Sequence, residues 1–204
     1  MENIKKKRHH RALETVYVSL GSLLLGMGSY HIARGEWEAL IKLFLLSSVF
    51  FIPMLAALAF RVILTDEMKI SGVVFVFCAC ILGEAYEFYL RYPLWDDIWH
   101  FLSGLLFCAF ACALVKGKAQ GLFAFCFSLS VSTVWEFLEF FADLLLGTDM
   151  QKDTVVKGMV DIGLYDTMTD LLAGALGAGF FLFWLLDDYK KGMSRAERLI
   201  PKNK

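Results

Sequence analysis

Proline is scarce in this chain, three residues in 204, and no Pro/Gly/Ser-rich stretch or low-complexity tract divides it. Nothing in its punctuation marks a linker between soluble modules, and no clear internal repeat is present. Cysteine is limited to Cys78, Cys80, Cys108, Cys112 and Cys126, all inside hydrophobic segments and without a C-x-x-C spacing. They read as small apolar packing residues, and no disulfide is expected. There is no G-x-S-x-G, no P-loop and no H-E-x-x-H, so serine-hydrolase, nucleotide-hydrolysing and zincin chemistries have no sequence support.

What the chain has in excess is apolar surface: 58% hydrophobic residues, 15% aromatics and a mean hydropathy of +0.57. That balance belongs to a membrane protein. A spanning helix needs about 20 mostly apolar residues, and six such segments can be read, roughly 15–33, 43–62, 70–89, 96–115, 120–141 and 166–186. The expectation is an all-α, polytopic membrane helical bundle, one domain over 1–204 with its motif-bearing core at about 70–186. Pro53, inside the second segment, predicts a kink.

The basic run Lys5, Lys6, Lys7, Arg8, Arg11 precedes the first segment without a small-x-small cleavage pattern after it, so this helix is expected to stay rather than be removed as a signal peptide. With the N-terminus inside, 15 of the 20 Lys/Arg fall on the inner side and only Arg34, Lys42, Arg91, Lys152 and Lys157 on the outer. The positive-inside rule then places both termini in the cytoplasm of a bacterial plasma membrane. Of the 21 acidic residues, 14 fall outside. The outer face is therefore expected to attract cations and the inner face anionic lipid. The basic tails read as topology signals, so nucleic acid is not an expected partner.

Ionisable groups recur inside the outer ends of four segments, where each costs a few kcal/mol unless paired, metal-bound or wet. Glu84 and Glu87 close the third, Asp96, Asp97 and His100 open the fourth, Glu136 and Glu139 close the fifth, and Asp166 and Asp170 open the sixth. Counted at 1.5 Å per residue, Glu84, His100, Glu136 and Asp170 share a layer about 21–24 Å from the cytoplasmic helix ends. The i,i+3 and i,i+4 spacings put each pair on one helix face. If the faces turn inward, Asp96, His100, Glu136, Glu139 and Asp170 form an oxygen-rich ligand set for a divalent metal ion. Glu84, Glu87, Asp97 and Asp166 are then spare carboxylates for acid–base work. The bland alternatives are helix capping for Asp96, Asp97 and Asp166, and interfacial exposure or pairing with Arg91 or Lys157 for the four glutamates.

The series Trp95-Asp96-Asp97-Ile98-Trp99-His100-Phe101 with Gly104, Trp135-Glu136-x-x-Glu139, Gly147-Thr148 with Gln151, and Asp166-Thr167-Met168-Thr169-Asp170 with Gly174 and Gly177 resembles the YjdF-type family of bacterial inner-membrane proteins. More distantly it is similar to VanZ-like proteins linked to teicoplanin resistance. The resemblance covers roughly residues 70–186 and implies a membrane fold and a shared motif, with no established activity. Both families carry a basic residue where Asp97 stands here. VanZ-like proteins tend to have Gln and Asn at the positions of Glu139 and Asp170, so this chain has the more acidic site.

Three functions fit these residues. A metal-dependent enzyme would act on a lipid head group or envelope precursor. A non-enzymatic module would bind an envelope ligand or confer resistance. A cation transporter ranks third, because the cytoplasmic halves of helices three to six lack ionisable groups. Membrane lipid is the expected environment in each case. Gly174, Gly177 and Ala178 give the sixth helix a close-packing face, and Trp95, Trp99, Trp135 and Tyr165 form an outer aromatic belt.

Overall fold

The computed structural model describes residues 2–151 and 162–203. Its order is α1 (Glu2–Arg34), α2 (Trp37–Ser47), α3 (Ile52–Ala59), β1 (Val62–Ile63), α4 (Asp66–Val76), α5 (Phe88–Arg91), α6 (Trp95–Ala111), α7 (Gln120–Leu146), α8 (Ile162–Lys190) and β2 (Lys202–Asn203). The strands are two residues each and pair antiparallel, Val62 with Asn203 and Ile63 with Lys202. Helices make up nearly everything else. The chain divides into two compact units, Met1–Trp95 with Pro201–Lys204, and Asp96–Ile200.

In the first unit α1 and α2 form a hairpin that turns at Gly35, where φ is +70°. A left-handed residue costs least as glycine. Glu36 staples the turn, accepting from Arg34 Nε at 2.6 Å and facing His31 Nδ1 at 2.8 Å. Those partners, Arg34 first, hold its carboxyl below the usual carboxylate range. Tyr86 reaches the other face of His31, with its hydroxyl 3.3 Å from Nε2. Beneath the staple, Leu43, Phe77 and Ile81 form a core with Leu20, Leu24 and Met27 packed on it.

Two expected spans are interrupted here for local reasons, the first of them beside Pro53, where a kink is expected. Pro53 lacks an amide proton, and the four residues before α3, Ser48–Phe51, tighten into a 3-10 turn. The third segment starts earlier than expected, because Thr65 caps α4 by accepting from Met68 N at 3.2 Å. It then widens into a π-helical stretch over Phe77–Ala85. The break that follows sets Glu87 in the left-handed region at φ +59°, ahead of α5. Glu87 is therefore not part of a continuous helix over 70–89.

In the second unit α6, α7 and α8 pack through small residues. A Cβ on Gly104 would strike the Gly174 carbonyl oxygen, and one on Gly177 would strike that of Phe101. The buried line Ala124, Ser128, Ser132, Glu136, Glu139 runs up one face of α7, at the spacing of a helix stripe. At the other end of the unit Asp188 is fully buried and accepts from Arg195 Nη2 at 2.8 Å and Ala196 N at 2.7 Å. It secures the chain's return after α8 and is more than a charge in a tail.

Five spans among the described residues are long and apolar enough to cross a membrane: Leu13–Arg34, Trp37–Ala59, Asp66–Ala85, Gln120–Leu145 and Gly163–Lys190. The sixth expected span, α6, has 17 residues, at the short limit of the spanning range. The protein is a helical membrane protein. All five cysteines are free, Cys108 and Cys112 buried and Cys126 exposed, so the packing role expected for Cys126 is not what its position shows.

Candidate metal centre

The glycine contacts decide where the polar residues meet. Gly104 of α6, Gly174 of α8 and Ser132 of α7 form one close layer: Ser132 Oγ would lie 2.9 Å from a Cβ on Gly174, and one turn along α7 Ser128 Oγ donates to the Gly104 carbonyl at 2.8 Å. α6 and α8 run opposite to α7. One turn outward from this floor therefore means four residues back on α6 and α8 and four forward on α7. Those residues are His100, Asp170 and Glu136. One turn further come Asp96, Asp166 and, on α7, Glu139.

The distances bear this out. His100 Nε2 lies 3.2 Å from Asp96 Oδ1 and 3.7 Å from Asp170 Oδ2, while Nδ1 lies 3.9 Å from Glu136 Oε1. Asp170 is 1% exposed, Glu136 3%, Glu139 7% and His100 8%. One ligand atom each from Asp96, His100 and Asp170 can be chosen so that all three lie within 4.8 Å of one another. Ligands around a common cation, each at about 2.0–2.6 Å, are spaced roughly 3–5 Å apart, so the group can close on one ion. Glu136 is on the other side of the imidazole. If Nε2 gives its lone pair to a metal, Nδ1 keeps the proton and Glu136 is placed to accept it, which fixes tautomer and ring plane.

Glu136 is the anomaly of the site. Both its oxygens are buried and neither makes a well-formed hydrogen bond among the described residues, although the Thr167 side chain lies within polar reach; Ser132 Oγ, directly below it, is also without a partner among them. Glu139 differs: its Oε1 accepts from Trp135 Nε1 at 2.7 Å. Buried carboxylates without donors are costly unless they meet a cation or take up a proton.

The outer end of the unit is organised by Asp143. It accepts from Thr148 Oγ1 at 2.5 Å, Met150 N at 2.8 Å and Gln151 N at 2.9 Å, after α7 ends at Gly147 with φ +66°. Gln151 Nε2 then donates to Thr167 Oγ1 at 2.9 Å, three residues before Asp170. The motif residues Gly147, Thr148, Gln151 and Thr167 are thus a fold device beside the ligands.

The remaining expected site residues do not join that ligand group. Asp97 and Asp166 are half-buried and lie outside the three-residue ligand group. Glu84 and Glu87 belong to the first unit. The Glu84 carbonyl accepts from Lys42 Nζ at 2.7 Å, and Glu87 is exposed and pairs with Arg91 at 3.4 Å, as the bland alternative for it foresaw. Lys152 and Lys157 fall outside the described residues. Capping does not account for Asp166, because α8 begins four residues earlier at Ile162. Nor do Glu136 and Glu139 close their helix, since α7 continues to Leu146. Sequence reading missed Ser128, Ser132 and the role of Asp143. Ser128 and Ser132 were detectable as i−8 and i−4 of Glu136 on one helix face.

Residues 12–190 match the family described as a predicted membrane protein (DUF2238). No curated protein and no solved structure matches the chain.

Proposed function

The chain belongs to the DUF2238 family of predicted membrane proteins, the YjdF-type family its motifs resemble, and we propose that it holds a divalent cation near the extracytoplasmic face of the cell membrane. Asp96, His100 and Asp170 would be the ligands, and Glu136 would orient the imidazole. The observation that carries this is the convergence of three buried or half-buried ligand groups from α6 and α8 within 4.8 Å, beside a buried carboxylate with no well-formed hydrogen bond among the described residues.

Such an ion acts as a Lewis acid toward phosphoryl or carbonyl oxygen and lowers the pKa of bound water. Trp135 and Tyr165 are 45% and 72% exposed, and Trp135 is tied by its ring nitrogen to Glu139. An amphipathic aromatic beside a buried cation site suits the head group of a lipid or an envelope precursor at the membrane boundary. The enzyme reading is therefore a metal-dependent reaction on that class of compound. The binding reading, the VanZ-like one, uses the same ion to bridge an envelope ligand without turnover.

Elemental analysis of the protein purified in detergent tests the shared premise. Wild type is expected to retain metal that Asp170→Asn and His100→Ala lose; a wild type without metal after reconstitution with Mg²⁺, Mn²⁺ or Zn²⁺ contradicts it. Release of product from a phosphorylated lipid head group by the loaded protein separates enzyme from binder.

A further inference from the structure

We infer that the second unit holds two divalent cations, the second one carried by Glu136 and Glu139 of α7 on the far side of the His100 imidazole from the first. The inference rests on the single-cation reading above and extends it.

The first ion takes no ligand atom from either of these two carboxylates. Its ligand group is Asp96, His100 and Asp170, whose two carboxylates already match the charge of one divalent ion. Glu136 and Glu139 bring two further carboxylates into the same layers at 3% and 7% exposure. They are three residues apart on one helix face, so both oxygens can turn to one point. Glu139 accepts from Trp135 Nε1, and neither oxygen of Glu136 makes a well-formed hydrogen bond among the described residues. Two adjacent carboxylates in a dry site repel each other and must share a proton or a cation. Ser132 Oγ, buried and without a partner among the described residues, sits one turn below Glu136 and adds a neutral oxygen of the kind hard cations accept.

The position of His100 separates the two ions. Nε2 faces Asp96 and Asp170 at 3.2 and 3.7 Å, and Nδ1 faces Glu136 at 3.9 Å. Glu136 Oε1 is on the Nδ1 side of the ring, at 3.9 Å, which leaves Oε2 for the second ion with Glu139. Asp96 of α6 and Asp166 of α8 lie within electrostatic reach of both glutamates, which adds to the negative charge a second ion would offset. A pair of divalent ions in such a layer is suited to an anionic phosphoryl group, whose oxygens two cations can clamp together.

The test is a count of bound Mn²⁺ per chain, by equilibrium dialysis and elemental analysis of the full chain in detergent, for wild type and for Glu139→Gln. Thermal unfolding of the same samples confirms folding. Two ions in wild type and one in Glu139→Gln are expected, with Asp170→Asn losing the first ion instead. One ion in wild type overturns the second site and leaves the single-cation reading standing. No ion overturns both. Two ions retained in Glu139→Gln overturn the assignment to α7.

Discussion

Two buried carboxylates in the second unit show how the same residue type is used in opposite ways. Asp188 is fully buried and fully engaged, with Arg195 and the Ala196 amide on its oxygens. Glu136 is almost as buried and makes no well-formed hydrogen bond among the described residues. Asp188→Ala is therefore predicted to lower the stability clearly, because it strands Arg195 and the Ala196 amide. Glu136→Gln removes a buried charge that no well-formed hydrogen bond among the described residues solvates, and is predicted to leave the metal-free protein as stable as wild type or more so. Thermal unfolding in detergent with chelator compares the two, and equal losses would contradict the contrast. The sequence distinguished these residues poorly. Asp188 reads as a tail charge because its partner arrives only when the chain folds back at Arg195. Asp170 and Glu136 stood out because a carboxylate inside an apolar run has few inexpensive explanations.

Among the elements, the three helices of the second unit meet where glycine allows carbonyl groups to approach. Gly104→Ala and Gly177→Ala each force a methyl into a backbone carbonyl of the neighbouring helix, and each is predicted to destabilise by about 1–3 kcal/mol. Because His100 is one turn from Gly104, the Gly104 variant should also weaken metal binding, measured as a higher Mn²⁺ dissociation constant; unchanged affinity would mean that the floor does not position the site. Helix identity was readable from hydrophobic runs, whereas helix ends were not. Glu136 and Glu139 look like a helix terminus in sequence, yet Phe140, Phe141, Leu144 and Leu145 beyond them are exposed apolar residues that carry α7 on to Leu146. The π-helical turn over Phe77–Ala85 has no sequence signature in its composition, since it arises from the ladder slipping by one residue.

For the molecule as a whole, the strongest reading from sequence is class and sidedness, because hydropathy and the 15 to 5 division of basic residues are summed over many positions. A reporter fused after Lys204 is predicted to be active only on the cytoplasmic side, and a tag between Gly147 and Gln151 to be labelled from outside. Reversed accessibility would put the acidic layers at the inner face. The convergence of α6, α7 and α8 was inferable only as a shared depth; which faces turn inward depended on glycine contacts between segments far apart in sequence. The central claim is that the Asp96, His100, Asp170 group binds a cation in the folded protein. The most direct measurement is thermal unfolding in detergent, first with chelator and then with Mg²⁺, Mn²⁺ or Zn²⁺ at about 100 times the dissociation constant, where binding to the folded state adds about 2.7 kcal/mol. The account predicts a raised Tm in wild type and none in Asp170→Asn; a wild-type Tm unmoved by any of these ions would contradict it.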